Sequence, residues 1–385
     1  MDDSIVKLMN DGFDGEPSKR VLQYVKSHQA KKHPIVGIYC GYAPLELIQS
    51  MGIVPAVLCA FSNIPIEAAE TVLPANLCPL IKSSYGFIIE GTCPFYSMSQ
   101  AVIAETTCDG KKKMFELIAD IKPTYVMDLP QLPDESSAKD NWKNMILNLK
   151  KFLENTFECK TSDEKIELAL QAANQKNQLM EKIFGFASLN PSVISWQEMY
   201  DVAFIALPST GNEIIPLLKQ LIDKLEKRVE EGFYFGALDS PRVLVTGCPV
   251  GGDATKIFHI IEASGGVVVA TDSCTGMKTF MGRFKEKTGD PIGAIADRYL
   301  KIPCACMTPN NKRLDDISDM INRFQPDVVI DFVLQACHAY NVESYKIGQH
   351  VTEKHGLPFL KVETDYSHGD TGQIKTRIQA LFERI

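Results

Sequence analysis

Short apolar runs alternate along this chain with longer stretches whose apolar residues recur every three or four positions. From His33, "HPIVGIYCGYAPLELIQSMGIVPAVLCA" gives an apolar run ending at Cys40 and a helical stretch opened by Pro44. Gly52 then breaks the pattern, and a second apolar run ends at Cys59. From Pro241, "PRVLVTGCPVGGDATKIFHIIEASGGVVVATDSC" has the same layout. Its first run ends at Cys248, a helix carries Ile257, Ile260 and Ile261 on one face, Gly265-Gly266 breaks it, and a second run ends at Cys274. Short apolar runs joined by amphipathic helices mark buried parallel strands. Each segment therefore reads as strand–helix–strand. The two share an architecture without repeating a sequence.

The pattern predicts further strands at 100–105 and 124–129 in the first half, and at 299–302, 327–333 and 357–363 in the second. Between them, about 136–236, the period becomes helical. "WKNMILNLKKFLENTF", "DEKIELALQAANQKNQLMEKIF" and "NEIIPLLKQLIDKLEKRVEEGF" carry apolar residues at three/four spacing. In "LNPSVISWQEMYDVAF" the Asn190-Pro191-Ser192 triplet offers a helix start. A last helix is expected at 371–384. The expected division is a first α/β domain with an N-terminal helix (1–135), a helical connector (136–236) and a second α/β domain (237–385).

Composition narrows the classes. A chain of 385 residues with 45% hydrophobic content can bury more than one core. A net charge of -8 argues against a general nucleic-acid or membrane-surface binder. No apolar run reaches the roughly 18–20 residues of a membrane span. The start, "MDDSIVKLMNDGFDGEPSKR", has no apolar signal core. A soluble, cytoplasmic protein is expected.

The cysteines carry the chemistry. There are 11, and no C-x-x-C, so zinc-ribbon and thioredoxin readings lose their usual support. In open parallel sheets, ligands bind outside the carboxyl ends of the strands. Seven cysteines fall at that edge: Cys40, Cys59, Cys108, Cys248, Cys274, one of Cys304 and Cys306, and Cys337. Two facing units would bring them into one cleft. Cys108, in "AETTCDGKKKMFE", follows a strand and precedes a helix. Helix amides and nearby cations favour a thiolate, which is both nucleophile and soft metal ligand. Lys111, Lys112 and Lys113 read mainly as a solvated helix face. Cys78, before Pro79, and Cys337 also stand at helix starts, an environment suited to an anionic cluster held by thiolates.

At these residues the chain resembles the 2-hydroxyacyl-CoA dehydratase component family, also called the D-component or benzoyl-CoA-reductase-like family. The matching stretches are "GIYCGYAPLELI", "LCPLIKSSYGF", "ETTCDGKKKMFEL", "TGCPVGG", "DSCTG", "LQACHAYNVES" and "ETDYSHGDTGQIKTRIQA". The resemblance implies two flavodoxin-like domains with helical elements, and a [4Fe-4S] cluster in the cleft between them. The positions matching its three cysteines are Cys78, Cys108 and Cys337. The extra thiols resemble the double-cubane branch of the family, whose [8Fe-9S] centre takes six thiolates. Cys40, Cys274 and Cys306 are the first candidates for the second triplet, with Cys248, Cys304 and Cys93 in reserve. Cys59 and Cys159 read as packing or surface residues. That branch implies an anaerobic homodimer that receives electrons from an ATP-hydrolysing iron–sulfur activator and reduces small molecules. The alternative is a 2-hydroxyacyl-CoA dehydratase subunit with one [4Fe-4S] cluster.

Other motifs are less specific. "GCPVGGDATK" resembles a phosphate loop but lacks the Gly-Lys-Ser/Thr ending, so a tight turn is the competing reading. His338 is a candidate hydrogen-bond or proton donor beside Cys337, with a satisfied structural histidine as the alternative. Glu46 is a candidate carboxylate at the cleft, with helix capping or solvent exposure as the alternative. Carboxylates of "ETDYS" (363–367) follow a strand and stand near the same edge.

Overall fold

The computed structural model describes residues 17–385. Expectations for the N-terminal helix that fall on residues 1–16 lie outside the described residues. The chain is an α/β protein with two four-stranded parallel sheets.

The first sheet takes its strands in the order β2-β1-β3-β4. These are β1 (Ile35–Ile38), β2 (Val54–Val57), β3 (Ala101–Glu105) and β4 (Thr124–Met127). α1 (Pro17–Ala30) precedes them. Among them lie α2 (Leu45–Ser50), α3 (Ile66–Ala69), α4 (Pro79–Ile89), α5 (Pro94–Met98) and α6 (Asp109–Ala119). Four long helices follow: α7 (Ala138–Phe157), α8 (Asp163–Gly185), α9 (Trp196–Ala206) and α10 (Gly211–Glu231).

The second sheet, ordered β6-β5-β7-β8, is built from β5 (Arg242–Gly247), β6 (Val267–Asp272), β7 (Val328–Leu334) and β8 (Phe359–Thr364). Its helices are α11 (Lys256–Ala263), α12 (Pro291–Tyr299), α13 (Asn311–Phe324), α14 (His338–Gln349) and α15 (Thr371–Phe382). β5 and β7 are buried along their whole length, as strands covered by helices on both faces must be.

Two expectations are corrected. Residues 299–302 form no strand: Tyr299 ends α12 and a turn follows. Asp290 caps that helix, accepting from the Gly293 amide at 3.0 Å. Tyr299 is instead a packing anchor, its hydroxyl meeting the Leu45 amide at 3.0 Å and Glu46 at 2.9 Å. The second correction concerns Asn190-Pro191-Ser192. The helix begins at Trp196, where Ser195 and Glu198 form a reciprocal capping box that satisfies otherwise orphaned amides.

The strand order fixes where a ligand can sit. In each sheet the chain starts in the interior, runs to one edge and returns to the other side. The connections after β1 and β3, and after β5 and β7, therefore diverge and leave a crevice at the carboxyl ends. Cys40 and Cys108 follow β1 and β3; Cys248 and Cys337 follow β5 and β7. The two halves also touch. The Asp253 amide donates to the Phe61 carbonyl at 2.7 Å, and Asp253 accepts from the Asn63 amide at 2.7 Å. Tyr42 donates to the Ile302 carbonyl at 2.8 Å.

Candidate functional site

A cavity of about 930 Å³ opens between the two halves. Its walls include Cys40, Cys59, Cys93 and Cys274, together with Lys111 and Glu46. The volume is that of a pocket for a small molecule.

Two groups of sulfurs lie in and beside this space. The first unites the halves of the chain: Cys78 shares a hydrogen bond with Cys337, and Cys337 shares another with Cys248. The contact with Cys337, with burial, holds the Cys78 thiol well above the ordinary value; the contact with Cys248, with burial, does the same for Cys337, against the pull of Cys78. In the second group Cys306 is hydrogen-bonded to Cys304, and Cys40 and Cys274 feel the charge of Cys304. The hydrogen bond from Cys306 draws Cys304 down to about 6, while Cys306 is driven up. Such a pair gives up one proton readily and keeps the other. Burial raises Cys274 to about 11.

Cys78, Cys108 and Cys337 are N-caps of α4, α6 and α14, and Cys93 caps α5, accepting from the Tyr96 amide at 3.3 Å. Cys108 is the exposed member of the set. Its thiol is raised by the protein around it, with Lys111 pulling in the opposite direction, so the expected low-pKa thiolate does not arise there. Cys59 packs against the core, lines the cavity at the sheet edge where the sequence put it, and donates to the Tyr39 carbonyl at 2.6 Å. It shared with Cys40 the signal of following a strand. Cys159 hydrogen-bonds only locally, toward the Leu153 carbonyl at the end of α7, at 4.0 Å.

Glu46 is buried at the cavity wall, accepting from Tyr299, and burial raises its pKa; neither solvent exposure nor capping describes it. His338 is exposed at the start of α14 and stands outside the cavity walls. Glu363 is exposed, and Asp365 turns to its own loop, accepting from the Ser367 amide at 2.8 Å.

The glycine-rich turn after β5 serves the joint between halves. A Cβ on Gly251 would lie 2.4 Å from the Phe61 ring, and one on Gly252 2.4 Å from the Phe61 carbonyl oxygen. Lys256, the lysine of the motif, is held by Asp370 at 2.7 Å. The tight-turn reading is the one the structure supports.

Charges behind the thiols escaped the sequence reading. Lys112 and Lys113 are solvated and pair with Asp109 and Glu116, but Lys111 is buried. Its position was legible: Lys111, Met114, Phe115 and Ile118 share one helical stripe. Glu105, at the end of β3, is fully buried with neither oxygen hydrogen-bonded, and burial raises it to about 8. In the second half, Asp272 binds Lys278 at 3.1 Å and Arg313 at 3.1 Å, all three buried. Lys278 reaches the Pro303 carbonyl at 3.5 Å, and Asn310 the Cys304 carbonyl at 3.0 Å, so this network holds the Cys304–Cys306 segment. No spacing in the sequence announces it.

A single metal ion needs all its donors about 2.0–2.3 Å from one point. Among the described residues no group of three or more His, Cys, Asp or Glu meets that condition. A multi-iron cluster spreads its thiolates over a wider frame and takes sulfur ligands in preference to others. Sulfurs distributed around a cleft, several at helix N-termini, fit such a group.

Fold and site together define a class: α/β proteins with a thiol-rich cleft between two parallel sheets. The chain belongs to the family described as "2-hydroxyglutaryl-CoA dehydratase, D-component", whose model matches residues 40–385. Proteins of this family typically carry an iron–sulfur cluster. The Escherichia coli (strain K12) protein YjiM, provisionally named a dehydratase subunit, is 41% identical over 354 residues, 91% of each chain. The (R)-phenyllactyl-CoA dehydratase beta subunit of Clostridium sporogenes is 24% identical over 388 aligned positions, covering 98% of this chain and 99% of its own. The lactoyl-CoA dehydratase subunit beta of Anaerotignum propionicum is 22% identical over 354 residues, 91% of each. Among the described residues no helix is long and apolar enough to cross a membrane.

Proposed function

We propose that this chain is the cluster-bearing subunit of a 2-hydroxyacyl-CoA dehydratase, with Cys78, Cys108 and Cys337 holding a [4Fe-4S] cluster. The observation that carries the reading is the sulfur contact between Cys78 and Cys337, which joins the two halves at the cleft. When bound, such a cluster supplies single electrons at low potential. The chain's own residues do the rest. The cavity beside the sulfurs takes the acyl end and limits water. Glu46, oriented by the Tyr299 hydroxyl and protonated more readily because burial outweighs that hydrogen bond, holds a proton at the wall. With Lys256 tied to Asp370, ATP hydrolysis falls to a partner, an iron–sulfur activator.

One observation favours a second reading. Cys40, Cys274, Cys304 and Cys306 form another set of sulfurs, enough for a second triplet of ligands. This supports an [8Fe-9S] double cubane in a homodimeric reductase of small molecules. The relatives' names favour the dehydratase; the second thiol group favours the reductase.

Anaerobic purification with iron and acid-labile sulfide per chain, and the EPR spectrum of the reduced protein, separates them. About four irons per chain, lost in Cys337→Ser and kept in Cys159→Ser, is the expected result. About eight would replace it with the second reading. No iron after anaerobic reconstitution would overturn both.

A further inference from the structure

Five lysines are buried among the described residues: Lys82, Lys111, Lys176, Lys256 and Lys278. Four of them have acceptors. Lys82 donates to Glu70 at 2.7 Å and to the Ala75 carbonyl at 2.8 Å. Lys176 donates to the carbonyls of Ala206 and Ser209, at 3.1 and 3.3 Å. Lys256 has Asp370 at 2.7 Å, and Lys278 has Asp272 at 3.1 Å. Lys111 is 8% exposed, and among the described residues no oxygen accepts a hydrogen bond from it. Glu105 is the acid whose charge acts on it, and neither of its oxygens has a hydrogen-bond partner. The Lys111 ammonium lies 5.8 Å from the centre of the Phe115 ring, a weak contact.

Charges inside a protein are ordinarily paired, and the Lys111 side chain is buried with its nitrogen toward the cavity and, among the described residues, no oxygen of the protein accepting from it. Lys111 lines the cavity, and its charge acts on Cys40, Cys59 and Cys108. Cys40 belongs to the second group of sulfurs and Cys108 is one of the proposed cluster ligands, so the cation's charge reaches both. Lys278, clamped by Asp272, shapes the Cys304–Cys306 segment; Lys111 has no such duty.

We infer that Lys111 is the counter-cation of the anionic group the cleft holds, placed to neutralise a thiolate-bound iron–sulfur cluster rather than to stabilise the fold. The inference rests on the cluster reading above. It makes Lys111 a positioning residue, acting through charge on the cluster.

Two measurements on wild type, Lys111→Met and Lys111→Arg test it. The first is thermal melting of the metal-free chain. Lys111→Met removes a cation from which no oxygen among the described residues accepts, so the melting temperature should be unchanged or higher. A lysine with a structural role would give the opposite sign, and a lower melting temperature overturns the inference. The second is the midpoint potential of the anaerobically loaded protein, followed by EPR. Loss of a nearby positive charge makes an added electron less welcome, so Lys111→Met should titrate at more negative potential with iron content unchanged. Lys111→Arg should return it close to wild type. An unmoved potential in Lys111→Met overturns the assignment to the cluster. Wild type that takes up no iron defeats the cluster reading itself, and is told apart because the metal-free melting arm does not depend on loading.

Discussion

Lys111 and Glu105 show how much a single position depends on what surrounds it. Both belong to a stretch that also offers Cys108; in the sequence Glu105 looks ordinary, and only its place on an apolar helical stripe marks Lys111. Folding takes Glu105 out of water with no hydrogen-bond partner and raises its carboxyl to about 8, against 4.5 for a free side chain. The folded-state value lies above the unfolded one. The stability it allows is therefore complete below about pH 4.5 and is lost as pH rises through 8. Between those limits the metal-free protein should weaken relative to Glu105→Gln, by at most about 1.4 kcal/mol per pH unit. Melting temperatures of the two proteins at pH 5 and pH 8 check this; a constant difference between them would show that Glu105 does not titrate in that window. The Cys304–Cys306 pair makes the same point in the other direction. Two adjacent thiols with equal intrinsic acidity are split because one hydrogen-bonds to the other, and Cys304 falls to about 6.

At the scale of elements, periodicity located strands and helices well where the pattern was long. The alternation around His33 and Pro241 corresponds to β1, α2, β2 and to β5, α11, β6. Boundaries were set by chemistry that periodicity does not weigh. α9 starts at its Ser195–Glu198 capping box, and not at Asn190-Pro191-Ser192, because reciprocal side-chain bonds satisfy the first amides. Ser195→Ala should cost about 1 kcal/mol, read from urea unfolding at an unchanged slope. A loss below a few tenths would mean that the Glu198–Arg228 ion pair, at 2.8 Å, holds the helix start without the cap. The four residues at 299–302 were apolar enough for a strand but too few to outweigh the packing of Tyr299 as a helix end.

At the scale of the molecule, the site exists because two sheets are held with their switch points facing. The joint at Phe61, Gly251 and Gly252 is part of what holds them. Gly252 has φ of +45° and no room for a Cβ, since the atom it would strike is a backbone oxygen. Gly252→Ala should destabilise the protein by about 2 kcal/mol and loosen the contact between halves. Denaturant unfolding gives the first quantity and protease susceptibility of the 248–256 turn the second. An unchanged digestion pattern would show that the halves are held together elsewhere.

The sequence by itself determined the fold class, because parallel strands covered on both faces must be continuously apolar and their helices must alternate with them. It also determined which cysteines stand at strand ends and helix starts, since these are local properties of the chain. Family membership was legible in Cys78, Cys108 and Cys337 with their flanking residues. Tertiary structure alone decided which sulfurs meet. Cys78 and Cys337, one from each half of the chain, are neighbours, and Cys59 shares the cavity wall with Cys40 and Cys274. It also decided which charges are buried beside them. Whether a lysine faces water or a cleft depends on what packs against its helix, and Asp272, Lys278 and Arg313 come together only when β6, the turn after it and α13 are assembled. Local pattern sets where a residue lies along its own element; long-range packing sets the dielectric and the partners, and those govern its chemistry.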